Sequence, residues 1–290
     1  MAPISYLQAV ALGSLQGFSE LFPISSLGHS VVVPRLLGWD IHQNDDYFLS
    51  FLVATHVATA LVLVGFFRED WKRILKGLAR SLRNRGMAAG DTDARLGWLI
   101  VVATIPAGLL GLALEHELRD LFASPQAAAA FLACNGLLLY GAERLRRLAP
   151  VRSEAGIRSD RVIARTLDFR EALGVGSAQA LALIPGFSRS GASMGGGLLV
   201  GLSNEEAARF AFLLATPIIG AAGVLKLPEL LGSQGDGVRG QALVGALCAA
   251  ATAYLAVRFL LRYFETNRLT PFAIYCLVVG VALSIGFALT

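Results

Sequence analysis

Long apolar runs alternate with shorter polar ones along the chain. Six of the apolar runs, 47–67, 96–114, 121–142, 208–226, 240–261 and 269–289, are nearly free of charge. Each has a length within the roughly 17–25 residues an α-helix needs to cross a bilayer, so the pattern predicts six transmembrane helices. Two further runs, 4–38 and 171–202, are equally apolar but are broken near their middles by Gly, Pro and Ser. Neither predicts one continuous helix. Composition agrees: of 290 residues, 55% are hydrophobic and 16% charged, whereas soluble domains carry about a quarter charged residues. A soluble enzyme is excluded on this ground, and a single membrane domain, 1–290, is the expectation. Cys134, Cys248 and Cys276 stand apart in apolar runs, a spacing that suggests neither disulfides nor a zinc site. No Lys or Arg precedes Arg35, so the N-terminal run is expected to belong to the fold rather than to a cleavable signal.

The cations set an orientation. Segments 68–95, 143–170 and 258–268 hold eight, eight and three Lys or Arg, together 19 of the 25. Lys and Arg are retained on the cytoplasmic side, so the connections 39–46, 115–120 and 227–239, which hold only Arg119 and Arg239, are expected to face outward. With span 47–67 running inward, run 4–38 must enter and leave from outside, and run 171–202 from the cytoplasm. Both then become re-entrant hairpins, tolerated at membrane depth only where protein or a water-filled cavity covers their irregular backbone. A shift of 163 residues superposes Gln16 on Gln179, Ser25 on Ser188, Gly28 on Gly191 and Gly38 on Gly201. At a shift of 161, SFLVAT (50–55) meets AFLLAT (211–216). Repeat one (1–145) and repeat two (171–290) would each be a hairpin plus three spans. The expected fold is an all-α membrane protein with inverted repeats, two re-entrant hairpins and six transmembrane helices.

Charge is scarce where it would be costly. Residues 1–34 contain one charge, Glu20, with His29 nearby in Q-G-F-S-E-L-F-P-I-S-S-L-G-H (16–29), and residues 172–204 contain only Arg189, in P-G-F-S-R-S-G (185–191). A charge near the bilayer centre costs at least about 2.5 kcal/mol, so each needs a partner or a ligand. The set suits phosphoryl transfer. Arg189 offers a fork for phosphate oxygens, helix N-termini at the hairpin turns attract anions, and Ser25, Ser26, Ser188, Ser190 and Ser193 add hydroxyls. Ser26 lies three residues before His29, within hydrogen-bond reach on a helix, which would activate a hydroxyl nucleophile. Glu20 could hold a divalent cation or act as acid or base. Structural alternatives are a Glu20–Arg189 ion pair, a core histidine at His29 and serines serving as caps. The glycines of G-A-S-M-G-G-G (191–197) point to close helix packing. His56 is expected to pack or hydrogen-bond between helices; His42, Asp45 and Asp46 are expected in a solvated loop.

At these two motifs the sequence resembles the bacterial undecaprenyl pyrophosphate phosphatase family (BacA/UppP), associated with bacitracin resistance. The first motif matches the family's E-G-x-T-E-F-L-P-V-S-S-T-G-H and P-G-F-S-R-S-G-A-S (185–193) matches its P-G-x-S-R-S-G-A-T; P-F-A-I-Y (271–275) resembles its final span. The resemblance implies an integral membrane hydrolase of the bacterial inner membrane. It would convert undecaprenyl diphosphate to the monophosphate, recycling the lipid carrier of peptidoglycan synthesis, with a site opening outward and a Mg²⁺ or Ca²⁺ requirement. It further implies Ser26 as nucleophile, His29 as its base or proton shuttle, Glu20 as metal ligand or catalytic carboxylate, and Arg189 as phosphate clamp. Ser25, Ser188, Ser190, Ser193 and Gln16 would support the substrate. The expected partners are the polyprenyl diphosphate and membrane lipids, with a homodimer left open and no nucleic acid. Two positions depart from the family: its first glutamate is Gln16 here, removing one hard anionic metal ligand, and its threonine is Leu27. A polyprenyl-phosphate transporter of the same fold is the alternative reading.

Overall fold

The computed structural model describes residues 4–41, 45–122, 124–147, 152, 156–232 and 237–289, and every regular element among them is helical. The first broken run folds as two helices, α1 (Tyr6–Leu21) and α2 (Ser26–Leu36). Next come α3 (Asp46–Phe66), α4 (Arg68–Arg83), α5 (Thr92–Phe122) and α6 (Pro125–Arg146). A short helix, α7 (Ser159–Thr166), leads to the second broken run, which folds as α8 (Phe169–Gln179), a 3₁₀ turn at Ala180–Leu183 and α9 (Arg189–Leu199). The chain continues through α10 (Asn204–Leu231), α11 (Arg239–Phe264) and α12 (Thr270–Leu289).

Local chemistry sets many of these starts. Ser5 with Gln8, Asp168 with Glu171 and Ser203 with Glu206 form reciprocal capping boxes that open α1, α8 and α10, satisfying amides that would otherwise be left unpaired at a helix end. Pro125 begins α6 behind the Ser124 cap. The outward loop expected at 115–120 is instead the last part of α5, which runs on to Phe122. Nothing between Glu115 and Phe122 breaks a helix; the chain turns only at the Ser124–Pro125 pair. Likewise Asp46 is the first residue of α3 rather than part of a loop, and His42 lies outside the described residues. The basic segments are not bare loops, since they contain α4 and α7.

Five helices, within α3, α5, α10, α11 and α12, are long and apolar enough to cross a membrane, which makes the chain a multi-pass membrane protein. The sixth run expected to span is α6, a 22-residue helix whose buried Asn135 and Glu143 lower its hydropathy. Glu143 accepts a hydrogen bond from the Leu269 amide at 3.1 Å, just ahead of α12, where a carboxylate suits the helix dipole. The centre of the molecule is α10: Phe210, Ala211, Phe212, Leu213, Leu214 and Ala215 are all at most 1% exposed, a helix covered on every side. Around the rim, Leu243, Leu247, Leu255 and Phe259 on α11 and Val278 and Ile285 on α12 are exposed. In water such a belt would aggregate; in lipid it is the solvent-facing surface. Small residues let α1 lie directly on α11, since a Cβ at Gly13 or Gly17 would stand 2.2 Å from Gly245 O or 2.0 Å from Ala249 O.

One end of the bundle is tied by charge. Asp70 on α4 receives Arg73, Arg158 at 3.0 Å and Arg209 of α10 at 2.5 Å, while Asp160 on α7 receives Arg73 at 2.7 Å and Arg158 at 3.1 Å. Burial opposes ionisation of Asp160, but the Arg73 hydrogen bond and the charges of Arg158 and Arg209 prevail and hold its carboxyl below the usual range. Because the folded value is depressed, this contribution to stability is complete above the unfolded value of about 4 and is lost as pH falls through the folded value. Asp160→Asn should therefore lower stability near neutral pH by about 1–3 kcal/mol and flatten the acid limb, measured as the thermal unfolding midpoint in detergent against pH.

Candidate active site

The two broken runs become two helix–turn–helix units, and each turn is shaped to start its second helix. α1 ends at Leu21, Phe22 is extended, and Ser25 adopts φ 68°, a left-handed conformation that strains a residue with a side chain. From there the Ser25 hydroxyl accepts the Gly28 amide at 3.1 Å and opens α2. In the second unit Gly186 takes φ +98°, and a Cβ there would meet Ala128 O at 2.4 Å, so only glycine fits. Ser188 then accepts the Gly191 amide at 3.1 Å and opens α9. Ser25 and Ser188 thus do the same job at the two helix starts, a side-chain cap on the first turn.

The turns lock into one another. Arg189 Nη2 donates to Glu20 Oε1 at 2.7 Å, and Ser190 Oγ donates to the Phe22 carbonyl at 3.1 Å. Asn135 of α6 bridges them, its amide donating to the Pro23 carbonyl at 3.0 Å and its oxygen accepting the Ser188 N–H at 3.1 Å. Glu20 Oε2 accepts from Ser26 Oγ at 2.5 Å and Gln16 Nε2 at 3.3 Å, and His56 Nε2 stands 3.4 Å away. These groups flank a cavity of about 380 Å³. Glu20, Ser25, Ser26, Ser188 and Arg189 form its polar end. Leu49, Leu52, Val53 and Val57 of α3 face Ile218, Ile219, Ala222 and Gly223 of α10 along its apolar wall.

The residues singled out in the sequence fall into two groups. Glu20, Ser25, Ser26, Ser188 and Arg189 meet at the cavity although the two motifs lie more than 150 residues apart. Gln16 stands behind Glu20, fully buried, with its Oε1 unpartnered among the described residues. Ser190 joins the turns, hydrogen-bonded also to Ser188 at 3.0 Å, and Ser193 is buried with a hydroxyl unpartnered among the described residues. The anticipated Ser26–His29 hydrogen bond is replaced by Ser26–Glu20. His29 Nδ1 donates to the Ser25 carbonyl at 2.6 Å, and Nε2 meets the Tyr275 hydroxyl at 2.8 Å. A histidine four residues after the left-handed Ser25 thereby fastens that turn, and Tyr275 stacks on its ring with centroids 5.9 Å apart.

Three residues carried no site role in the sequence. His56, expected to pack or hydrogen-bond between helices, makes its polar contact from α3 to Glu20 of α1 and also lines the cavity. Its only signal was that it lies in SFLVATH, beside the segment that matches the second repeat. Asn135 gave no local signal, being one amide in an apolar helix, and Tyr275 was visible only within P-F-A-I-Y.

Glu20 does not suit a resident Mg²⁺ or Ca²⁺. Both oxygens already accept from donors, a guanidinium and an imidazole stand beside them, and no group of three or more His, Cys, Asp or Glu side chains converges among the described residues. Hard dications ask for several oxygen ligands, and the neighbouring cation repels them.

Residues 9–282 match the family model described as Bacitracin resistance protein BacA. Relatives agree over nearly all of both chains. An undecaprenyl-diphosphatase of Mycolicibacterium paratuberculosis is 51% identical over 99% of each chain, and one of Mycobacterium avium 50% over 99% of each. Undecaprenyl-diphosphatase 2 of Frankia alni is 46% identical over the whole of each. With its two motifs meeting at one cavity and the family match running through almost every helix, the chain belongs to the BacA family.

Proposed function

We propose that this protein hydrolyses undecaprenyl diphosphate to undecaprenyl phosphate and inorganic phosphate, the activity named in its relatives. The observation that carries the reading is the 2.5 Å hydrogen bond from Ser26 Oγ to Glu20 Oε2, with the other Glu20 oxygen held by Arg189. A hydroxyl that donates to a carboxylate at the polar end of the cavity is arranged as a nucleophile beside its base. Arg189 Nη1 is buried without a partner among the described residues, a free arm for a phosphate oxygen. The apolar wall between α3 and α10 suits a polyprenyl chain.

In this mechanism the terminal phosphoryl group lies at the turn tips. Arg189 and the first turn of α9 oppose its charge, an electrostatic contribution that grows in a cavity poor in water. Ser26 attacks phosphorus as its proton passes to Glu20. Gln16 holds the carboxylate from behind, and His29 with Tyr275 holds the strained Ser25 turn so that Ser26 keeps its aim. A divalent cation carried by the lipid diphosphate would supply further neutralisation of its charge, with Ser26, Glu20 and Arg189 keeping the roles given above.

The same proposal places the chain in its membrane. Nineteen Lys and Arg in three segments support those segments facing the cytoplasm, and the cavity then opens toward the outer face of the bacterial inner membrane. The α1–α2 and α8–α9 units are the re-entrant hairpins of two inverted repeats, supported by the matching caps at Ser25 and Ser188, and α6 is the sixth span. A carrier that binds the headgroup without cleaving it has no use for the Ser26–Glu20 contact.

Purified protein in detergent with undecaprenyl diphosphate should release phosphate; binding without release would favour the carrier. Ser26→Ala, Glu20→Gln and Arg189→Ala should each lose about 10²–10⁴-fold in turnover while still eluting as folded protein, and normal release from all three would overturn the reading. Gln16→Glu sets a second carboxylate 3.3 Å from Glu20, a pair that must share a proton or a cation. Its turnover should therefore depend more steeply on added Mg²⁺ or Ca²⁺ than that of the parent, measured as rate against cation concentration.

A further inference from the structure

We propose that His56 is the general acid that protonates the departing lipid phosphate, and that it recovers its proton from Glu20. The inference rests on the phosphatase reading above and adds a residue outside both sequence motifs. Its first support is the proton inventory of the ring. His56 Nδ1 lies 2.8 Å from the Leu52 carbonyl, which only accepts, so Nδ1 carries a proton. Nε2 lies 3.4 Å from Glu20 Oε2, an oxygen that already accepts from Ser26 and Gln16 and whose carboxylate accepts from Arg189. With Nδ1–H fixed on Leu52, Nε2 is the ring nitrogen turned toward Glu20 and the cavity, the position from which a proton passes to or from an oxygen.

The second support is place. Among the described residues that α3 and α10 contribute to the cavity wall, His56 is the polar one; its neighbours are Leu49, Leu52, Val53, Ile218 and Ile219. The terminal phosphoryl belongs at Ser26 and Arg189, and the prenyl chain belongs along the apolar wall. The lipid-proximal phosphate, which leaves, therefore falls between them, where His56 stands with 27% of its side chain exposed to the cavity.

The steps balance. Ser26 Oγ forms a bond to the terminal phosphorus and gives its proton to Glu20 Oε2. The bond from that phosphorus to the bridging oxygen breaks, its electron pair goes to the bridging oxygen, and His56 Nε2–H protonates that oxygen. The proton on Glu20 then crosses to His56 Nε2, restoring carboxylate and imidazolium. Water next attacks the phosphoserine, its proton goes to Glu20 and from there to the departing Ser26 oxygen. The sum is one water consumed, one lipid monophosphate and one phosphate released, with all side chains returned to their first state.

The test compares undecaprenyl diphosphate with an analogue carrying sulfur at the bridging position, whose thiolate leaves without a proton. In full-length protein in detergent, His56→Gln should lose about 100-fold in turnover on the natural substrate, and on the sulfur analogue should lie within about threefold of the parent, as general-acid catalysis requires. His56→Asn, checked in parallel by gel filtration and thermal midpoint, guards against a variant that fails to fold. A rescue by sulfur smaller than about tenfold, or near-native turnover of His56→Gln on the natural substrate, would overturn the assignment. Ser26→Ala separates the two ideas: it should be inactive on both substrates, and if it is active the phosphatase reading fails whatever His56 does.

Discussion

The contact between Glu20 and Arg189 organises this protein. Either charge alone, placed among apolar helices, would be expelled or neutralised. Together, at 2.7 Å and nearly closed from solvent, they can remain ionised, provided every other lone pair and proton also finds a partner. That requirement recruits the surroundings. Ser26, Gln16 and His56 complete the carboxylate. The guanidinium keeps one nitrogen unpartnered among the described residues. A buried pair left incomplete in this way stabilises less than a closed one, and the open position on the cationic side is what suits it to an anion.

Holding the pair in register takes most of the fold. Glu20 is near the end of α1 and Arg189 at the start of α9, so two turns must approach backbone to backbone. Gly28 and Gly186 allow this: a Cβ on Gly28 would stand 3.2 Å from the Gly186 Cα. Asn135 then pins both turns to α6, and α12 reaches back with Tyr275 to fasten His29. Deep burial of α10 supplies the rigid wall against which the cavity is formed. The Asp70–Asp160–arginine cluster ties the same helix to α4 and α7, so polar chemistry fixes both the cavity and the charged end of an otherwise apolar bundle.

Roles within the motifs separate in a way their order does not show. Ser26 and Arg189 face the cavity, whereas Gln16, His29 and Ser190 stand around it and hold its parts. The replacement of the family's first glutamate by Gln16 becomes intelligible here. An amide can donate to Glu20 without adding a second buried negative charge beside the Glu20–Arg189 pair.

The sequence by itself determined the solvent, the rough positions of the long apolar helices, and the two places where charge survives in apolar surroundings. These are local properties, since hydropathy, caps and cost of burial act residue by residue along the chain. It also placed Glu20 and Arg189 in one site, because two lone opposite charges at membrane depth have few other solutions. Tertiary structure decided the rest. Whether Ser26 turns to His29 or to Glu20 depends on the left-handed Ser25, and whether His56 meets Glu20 depends on which face of α3 meets α1. Asn135 joins residues 112 and 53 positions away. Such choices are made by packing between distant helices, and nothing in the spacing of neighbouring residues encodes them.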